Sequence, residues 1–362
     1  MKKIFFKLLV LCCLFAGTAY GQVVDGPYVF YRGRQVIVKS VVRSGDDYVA
    51  VRDSFGIAVK AKKMLPVQVD GHPEWDFTVQ LKKQINNEPM NSAGAANVLV
   101  LSDIEGEFEP FRNLLLANHV IDEQYRWTFG KGQLMVAGDL FDRGKQVSQY
   151  LWLLYKLEDE AKASGGYVHV ILGNHDIMNL GGDFRYVQPA YMANAKFMQE
   201  EYKNLYGPDT ELGHWLRSKN VMEKDGDFLV LHGGVSPDFL AQHFSLEEIN
   251  ELARPFYDRW IGAKNNTVSL LFGGTTSPFW YRGFFMEPKA AEAVIDSTLA
   301  FYDCKKIIVG HDIIDHVAML YGGKVIGVDV NEHEQAHEAL LIENDKYYRV
   351  NDQGVRTELQ IK

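Results

Sequence analysis

Residues Val136 to Lys145 read V-A-G-D-L-F-D-R-G-K, and few backbone arrangements accommodate that run. An apolar stretch, Gln133 to Ala137, ends on Gly138, so a buried strand is expected to deliver Asp139, Asp142 and Arg143 into a loop at its carboxyl end. Ligands bind at such strand ends in open α/β sheets. Two carboxylates and a guanidinium within five residues need partners of opposite charge, a cation and an anion, because unpaired charge is costly to bury. The pattern recurs at Leu101 to Gly106 (L-S-D-I-E-G), Leu172 to Asp176 (L-G-N-H-D), Leu231 to Gly234 (L-H-G-G) and Val309 to Asp312 (V-G-H-D). Each follows an apolar run rich in β-branched residues. Five strand ends should therefore bring Asp, Glu, Asn and His to one rim.

Between these points the hydrophobic period alternates between strand and helix. Strand Asn97 to Leu101 leads into an amphipathic helix carrying Phe108, Phe111, Leu114, Leu115 and Leu116; strand Gln133 to Ala137 leads into a helix near Val147 to Ala163; strand Tyr167 to Leu172 carries the Asn-His pair. This is a β-α-β-α-β series of the α/β class. From Gly181 to Asp225 the strand rhythm breaks, and aromatic residues at helical spacing predict a helical insertion (181–225) whose stripe is core. Strand Phe228 to Leu231, helices over Leu246 to Ile261 and Pro288 to Tyr302, and strands Lys306 to Val309, Val317 to Tyr321, Lys324 to Val330, Ala339 to Glu343 and Tyr347 to Val350 complete the reading. Gly322-Gly323 and Asn344-Asp345 serve as hairpin turns. Ahead of this, residues 22–91 alternate in short apolar runs (Tyr28 to Tyr31, Gln35 to Val42, Tyr48 to Arg52, Ile57 to Lys60), expected as a small antiparallel β domain. Asn86 to Ala96 reads as its linker to a catalytic domain over 97–350.

Lys2, Lys3 and Lys7 flank an apolar run, Ile4 to Ala16, and Ala19-Tyr20-Gly21 follows: the layout of a secretory signal peptide over residues 1–21. The run is short for a membrane span. The expectation is an exported protein, periplasmic or extracellular, without stable membrane insertion after cleavage. The formal net charge of −9 becomes more negative when those lysines leave, which disfavours nucleic acid and anionic lipid as partners. Cys12 and Cys13 fall in the leader and leave Cys304 alone, so core and metal rather than a disulfide must hold the fold.

In this order and context the five motifs resemble the calcineurin-like metallophosphoesterases, from about Asn97 to Val330. The G-D-x-x-D-R-G block at Gly138 to Gly144 and the W-Y-R-G block at Trp280 to Gly283 together look most like the phosphoprotein phosphatases, in particular their bacterial, Shewanella-like branch. The resemblance implies an α/β fold in which a β-sandwich is flanked by helices (αββα). It also implies two divalent ions, for which manganese, magnesium, iron and zinc are the candidates. Asp139 would bridge them, Asp103 would complete the first, and Asn174, His232 and His311 the second. The shared water, acidified by both ions, would attack a phosphomonoester. Asp142 and His175 would form the dyad that protonates the leaving alcohol, and Arg143 and Arg282 would clamp the phosphate oxygens. The implied partner is a phosphorylated small molecule or a phosphoprotein.

One position departs from the family pattern D-x-H-G: this chain has Asp103-Ile104-Glu105-Gly106. Glu105 can still ligate, but it lowers the positive charge of the metal pair. That predicts a preference for hard ions such as manganese and an alkaline optimum. The other reading is a vacancy at the first site and an inactive relative. Trp280 and Tyr281 either stack on an aromatic leaving group or wedge their loop in place. Asp183 and Arg185 follow the Asn-His loop and are weaker candidates for substrate contact. His169 is read as structural, His316 as a surface residue, His72 with Glu74 and Asp76 as an exposed turn, and His333 and His337 as part of a solvated acidic loop. Two further functions fit parts of the pattern: hydrolysis of a dinucleoside polyphosphate, and metal-stabilised binding without catalysis.

Overall fold

The computed structural model describes residues 22–330 and 337–360; the expected leader and His333 lie outside them. Two six-stranded sheets stack face to face. In spatial order one runs Ala318–Leu320, Val325–Gly327, Lys306–Val309, Phe228–Leu231, Met222–Asp225, Asn91–Ser92, and the other Arg356–Glu358, Lys346–Asn351, Glu338–Glu343, Asn97–Leu101, Gln133–Ala137, Tyr167–Ile171. The central strands of each are parallel: Asn97–Leu101 with Gln133–Ala137 and Tyr167–Ile171, and Phe228–Leu231 with Lys306–Val309 and Val325–Gly327.

Strand alternation builds the layers. Val98, Val100, Met135, Ala137, Val230, Ile308 and Ile326 form an apolar cluster between the sheets. Their neighbours Leu99, Leu101, Leu134, Val136, Leu229, Leu231, Ile307 and Val309 face the other way, into the cluster that also holds Phe108, Leu151 and Leu154 of the helices Phe108–Ala117 and Val147–Ala163. Both faces of each central strand are buried, which is why these strands read as unbroken apolar runs. The result is the expected helix-flanked sandwich. No helix among the described residues is long and apolar enough to cross a membrane.

Strands Val23–Arg32, Gln35–Ser44 and Asp47–Gly56 form an antiparallel sheet, but Ile57 to Lys60, expected to extend it, lies in the 3-10 helix Ile57–Lys62. This sheet packs into the helix layer: Tyr28, Val29 and Phe30 belong to the same apolar cluster, and Trp152 Nε1 donates to the Pro27 carbonyl at 2.8 Å. The Asn86 to Ala96 segment is tied down rather than free. Glu88 is buried against Lys219 and accepts from Tyr167, and Asn91–Ser92 pairs with Met222–Asp225 at a sheet edge. Within the inserted stretch, helices Pro189–Phe197, Tyr202–Leu205 and Glu211–Arg217 occur as expected in kind. Met222–Asp225 is instead a strand, because a turn at Gly226 folds it back on Phe228–Leu231. The helix expected over Leu246 to Ile261 stops at Ala253, where Pro255 removes a backbone donor and a 3-10 turn follows. The helix expected from Pro288 begins at Glu292.

Candidate metal centre

The parallel strands of both sheets end at one rim, and each end contributes a side chain: Asp103 after Leu101, Asp139 after Ala137, Asn174 after Ile171, His232 after Leu231 and His311 after Val309. The backbone there is bent sharply. Asp103, Glu105, Asp139, Asp142, Arg143 and His311 all have positive φ, between 44° and 80°, a conformation that L-residues with side chains rarely adopt. Such strain gathers at functional sites, where it aims side chains inward. Two glycines permit the crowding: a Cβ on Gly138 would lie 2.5 Å from His232 Nδ1, and one on Gly173 would lie 2.1 Å from Asp139 Oδ1.

A cavity of about 550 Å³ opens at this rim, lined by Asp103, Glu105, Asp139, Arg143, His175, Arg282 and His311, with Asp312 and Asp329 beside them. Ligand atoms of Asp139, His232 and His311 lie within 4.8 Å of one another, and so do those of Glu105, Asp139 and His175. Asp139 belongs to both groups. His232 donates from Nδ1 to the Ala137 carbonyl at 2.8 Å, which turns Nε2 toward Asn174 Oδ1 at 2.8 Å and Asp139 Oδ2 at 3.2 Å. This backbone bond fixes the ring as a second partner fixes a metal-bound histidine.

The electrostatics also suit cations. Burial alone would neutralise His232, yet Asp139 and Asp103 pull it up to about 10. His311 goes the other way, down to about 2, through burial and the neighbouring His232 and Arg282. It is thus a neutral imidazole, and its buried Nε2 has no hydrogen-bond partner among the described residues. Burial raises Asp103 to about 7, with Asp139 and Glu105 adding to the effect and His232 opposing it. Carboxylates in excess of cations, a neutral imidazole and an amide oxygen are a donor set for divalent ions.

The two residues expected to act as a dyad lie side by side. His175 Nδ1 donates to Asp142 Oδ2 at 2.6 Å, and Asn179 Nδ2 donates to the other oxygen of Asp142 at 2.8 Å. Tyr202 from the insertion donates to Asn179 at 2.9 Å. His175 Nε2 faces Glu105 at 3.6 Å and Asp139 at 3.9 Å. Burial lowers its pKa, but Asp139, the Asp142 bond and Glu105 win and raise it to about 9. Arg143 ion-pairs with Glu105 through Nη1, and Arg282 Nη1 donates to the His311 carbonyl and to Asp312 Oδ1, each at 2.8 Å.

Trp280 and Tyr281 are not among the residues lining the cavity. Trp280 Nε1 donates to the Phe272 carbonyl at 3.0 Å and its ring meets His311 edge-on, while Tyr281 packs on Phe284. These contacts fit the wedge, one of the two expected roles. Asp183 and Arg185 pair with each other at 2.8 Å. His169 is buried against Glu223 at 2.7 Å, His316 is exposed beside Glu338, and His72 stacks on Trp75 in an exposed turn. Sequence reasoning gave Asp312 no role beyond its place in the V-G-H-D run, and it missed Asn179, Asp329 and Tyr186, whose ring covers Arg143 and His175. Asp329 follows the strand Val325–Gly327 in the same manner as the other strand-end residues, so the pattern that found them had it in reach.

A family model described as calcineurin-like phosphoesterase matches residues 96–315. Shewanella-like protein phosphatase 2 of Arabidopsis thaliana is 27% identical over 281 residues, which cover 64% of this chain and 70% of that protein. A symmetrical bis(5'-nucleosyl)-tetraphosphatase of Vibrio vulnificus is 31% identical over 169 residues, 45% of this chain and 54% of that protein. The chain spans about two thirds of the length of the first curated relatives it matches. Among solved structures, the cold-active protein-tyrosine phosphatase of a psychrophilic Shewanella species has a TM-score of 0.83 at 34% identity, covering 93% of this chain and 99% of that one.

Proposed function

We propose, from the premise that this chain belongs to the calcineurin-like phosphoesterase family, that it is an exported phosphatase using two divalent ions to hydrolyse phosphomonoesters, including phosphorylated Ser, Thr or Tyr side chains. One observation carries the reading: Asp139 is shared by two groups of ligand atoms in the cavity that also receives Arg143, Arg282 and His175. Asp103, Glu105 and Asp139 would hold one ion, and Asp139, Asn174, His232 and His311 the other. Manganese suits the carboxylate-rich first position. When bound, the ions supply Lewis acidity and lower the pKa of coordinated water.

The chain's own residues do the rest. Arg282, held to the His311 loop, and Arg143, held by Glu105, orient the phosphate oxygens. His175 gives a proton to the departing oxygen, and Asp142 keeps the ring oriented and its charge stabilised. The 2.6 Å bond to Asp142 favours the protonated ring that this step needs.

The test is the initial rate on a chromogenic aryl phosphate. Metal-stripped protein lacking residues 1–21 is assayed with added manganese, magnesium or zinc, beside Asp139→Asn. Manganese-dependent release abolished by the substitution is the expected result. Thermal stabilisation by manganese without turnover would favour the metal-stabilised binding protein instead. A dinucleoside polyphosphate run in the same assay tests the second hydrolytic reading, which the Vibrio relative also raises, and should be the poorer substrate.

A further inference from the structure

Asp329 has no role in the motifs that identify the family and stands outside the two tight groups of ligand atoms, yet it lines the same cavity. Its backbone is fixed on both sides. Val328 N donates to the Val309 carbonyl at 2.9 Å, Ile314 N donates to the Asp329 carbonyl at 3.0 Å, and Val330 bridges to Ile314. The flanking Val328 and Val330 are buried in the apolar cluster between the sheets, so strand alternation turns Asp329 to the opposite face. There it lines the cavity.

Only 3% of Asp329 is exposed, and its carboxylate has no hydrogen bond or ion pair among the described residues. The charges acting on it most strongly are Asp103, His232, Asp139 and Glu105, three of them like its own. A buried carboxylate without a donor and among like charges is unfavourable unless a cation completes it. His311 Nε2, also buried and without a partner, is a second unsatisfied donor atom at the same cavity. Asp103 is already committed on one oxygen, since Oδ2 accepts from His311 N at 3.1 Å and from Ser102.

We propose that Asp329 is a further carboxylate of the metal centre, serving the ion held by Asp103, either directly or through a coordinated water. The assignment rests on the metal-dependent reading above. It raises the carboxylates of the centre to four, Asp103, Glu105, Asp139 and Asp329, which balance the charge of two divalent ions. A centre neutral before phosphate arrives binds hard, oxygen-seeking ions and acidifies its water only modestly. Arg143 and Arg282 then carry the positive charge that attracts the substrate.

The experiment compares wild type with Asp329→Asn by melting temperature and by manganese titration of the metal-stripped proteins, with bound metal counted per chain. Removing the unpartnered charge should raise the melting temperature of the metal-free variant. It should also weaken manganese binding at one of the two sites by roughly 10–100-fold, giving a smaller thermal gain on adding metal. Asp329→Ser serves if the amide fails to fold, and Asp329→Glu should recover part of the affinity. Unchanged affinity and metal count in the variant overturn this assignment while leaving the phosphatase reading intact. Failure of the wild type itself to bind manganese overturns both.

Discussion

His175 donates to Asp142 and presents Nε2 to the cavity, so its proton matters only as far as the leaving group needs one. His175→Asn should therefore lower kcat by about 10²–10⁴ on a phosphoester of a poor leaving group such as phenol or an alkyl alcohol. The loss should be far smaller on a dinitrophenyl ester, whose anion departs unaided. Equal losses on the two substrates would place His175 in phosphate or metal binding instead. Glu105 makes a second claim at this scale. The Glu105→His change restores the family residue, removes a negative charge and releases Arg143, so the ratio of zinc- to manganese-supported rate should rise and the pH optimum should fall. A ratio that stays put would show that Glu105 does not set metal preference. Most of this site was readable beforehand, because metal and phosphate chemistry restricts which residue types can stand at each strand end. The contacts of Asn179 and Asp312 were not readable: they act on Asp142 and Arg282 through side-chain hydrogen bonds between separate segments, which leave no periodic trace.

The strand ends behave as one element because glycines let them touch. Gly173 sits against Asp139 so closely that an added methyl would overlap Oδ1 at 2.1 Å and the Asp139 amide at 2.3 Å. Gly173→Ala must displace Asp139, the proposed shared ligand, so manganese should no longer raise the melting temperature while the far-ultraviolet circular dichroism stays that of the wild type. Retention of the full manganese shift would mean that the loop relaxes without cost and that Asp139 does not bridge. Asp176 locks the same two loops from the other side, accepting from Leu140 N at 2.8 Å and Gly173 N at 2.6 Å. The central strands were legible to within a residue, except Val325–Gly327, which ends three residues before the expected Val330, since both faces are apolar and their lengths are those of a sheet crossing. Element ends were less so. Ile57–Lys62 carries alternating apolar residues yet winds into a 3-10 helix, and Met222–Asp225 looks polar although Glu223 and Asp225 are buried, where they accept from Asn220 and from Ser92 and Gln133.

At the scale of the molecule, the amino-terminal sheet is joined to the helix layer through a buried acid. Asp25 accepts from Tyr28 at 2.8 Å, from Asn194 at 2.9 Å and from Ser148 at 3.3 Å, so one carboxylate ties the first strand to the helices Val147–Ala163 and Pro189–Phe197. Nothing in the local sequence announced this, since the partners lie up to 169 positions away. Burial raises Asp25 from 3.8 to about 6, against the pull of those hydrogen bonds. The folded state therefore binds the Asp25 proton more tightly than the unfolded chain does. Its contribution to stability is fullest below about pH 4 and declines as pH climbs from there through 6, by at most about 3 kcal/mol. Asp25→Asn keeps the shape and the hydrogen-bonding capacity, with the Asn194 amide turned over, and has no proton to lose. The variant should be more stable than wild type at pH 8, and that advantage should shrink steadily and vanish near pH 4. Urea unfolding of both proteins at intervals across that range measures the difference directly. A difference that does not change with pH would show that Asp25 stays ionised when folded, held by its donors and by water reaching the joint between sheet and helices.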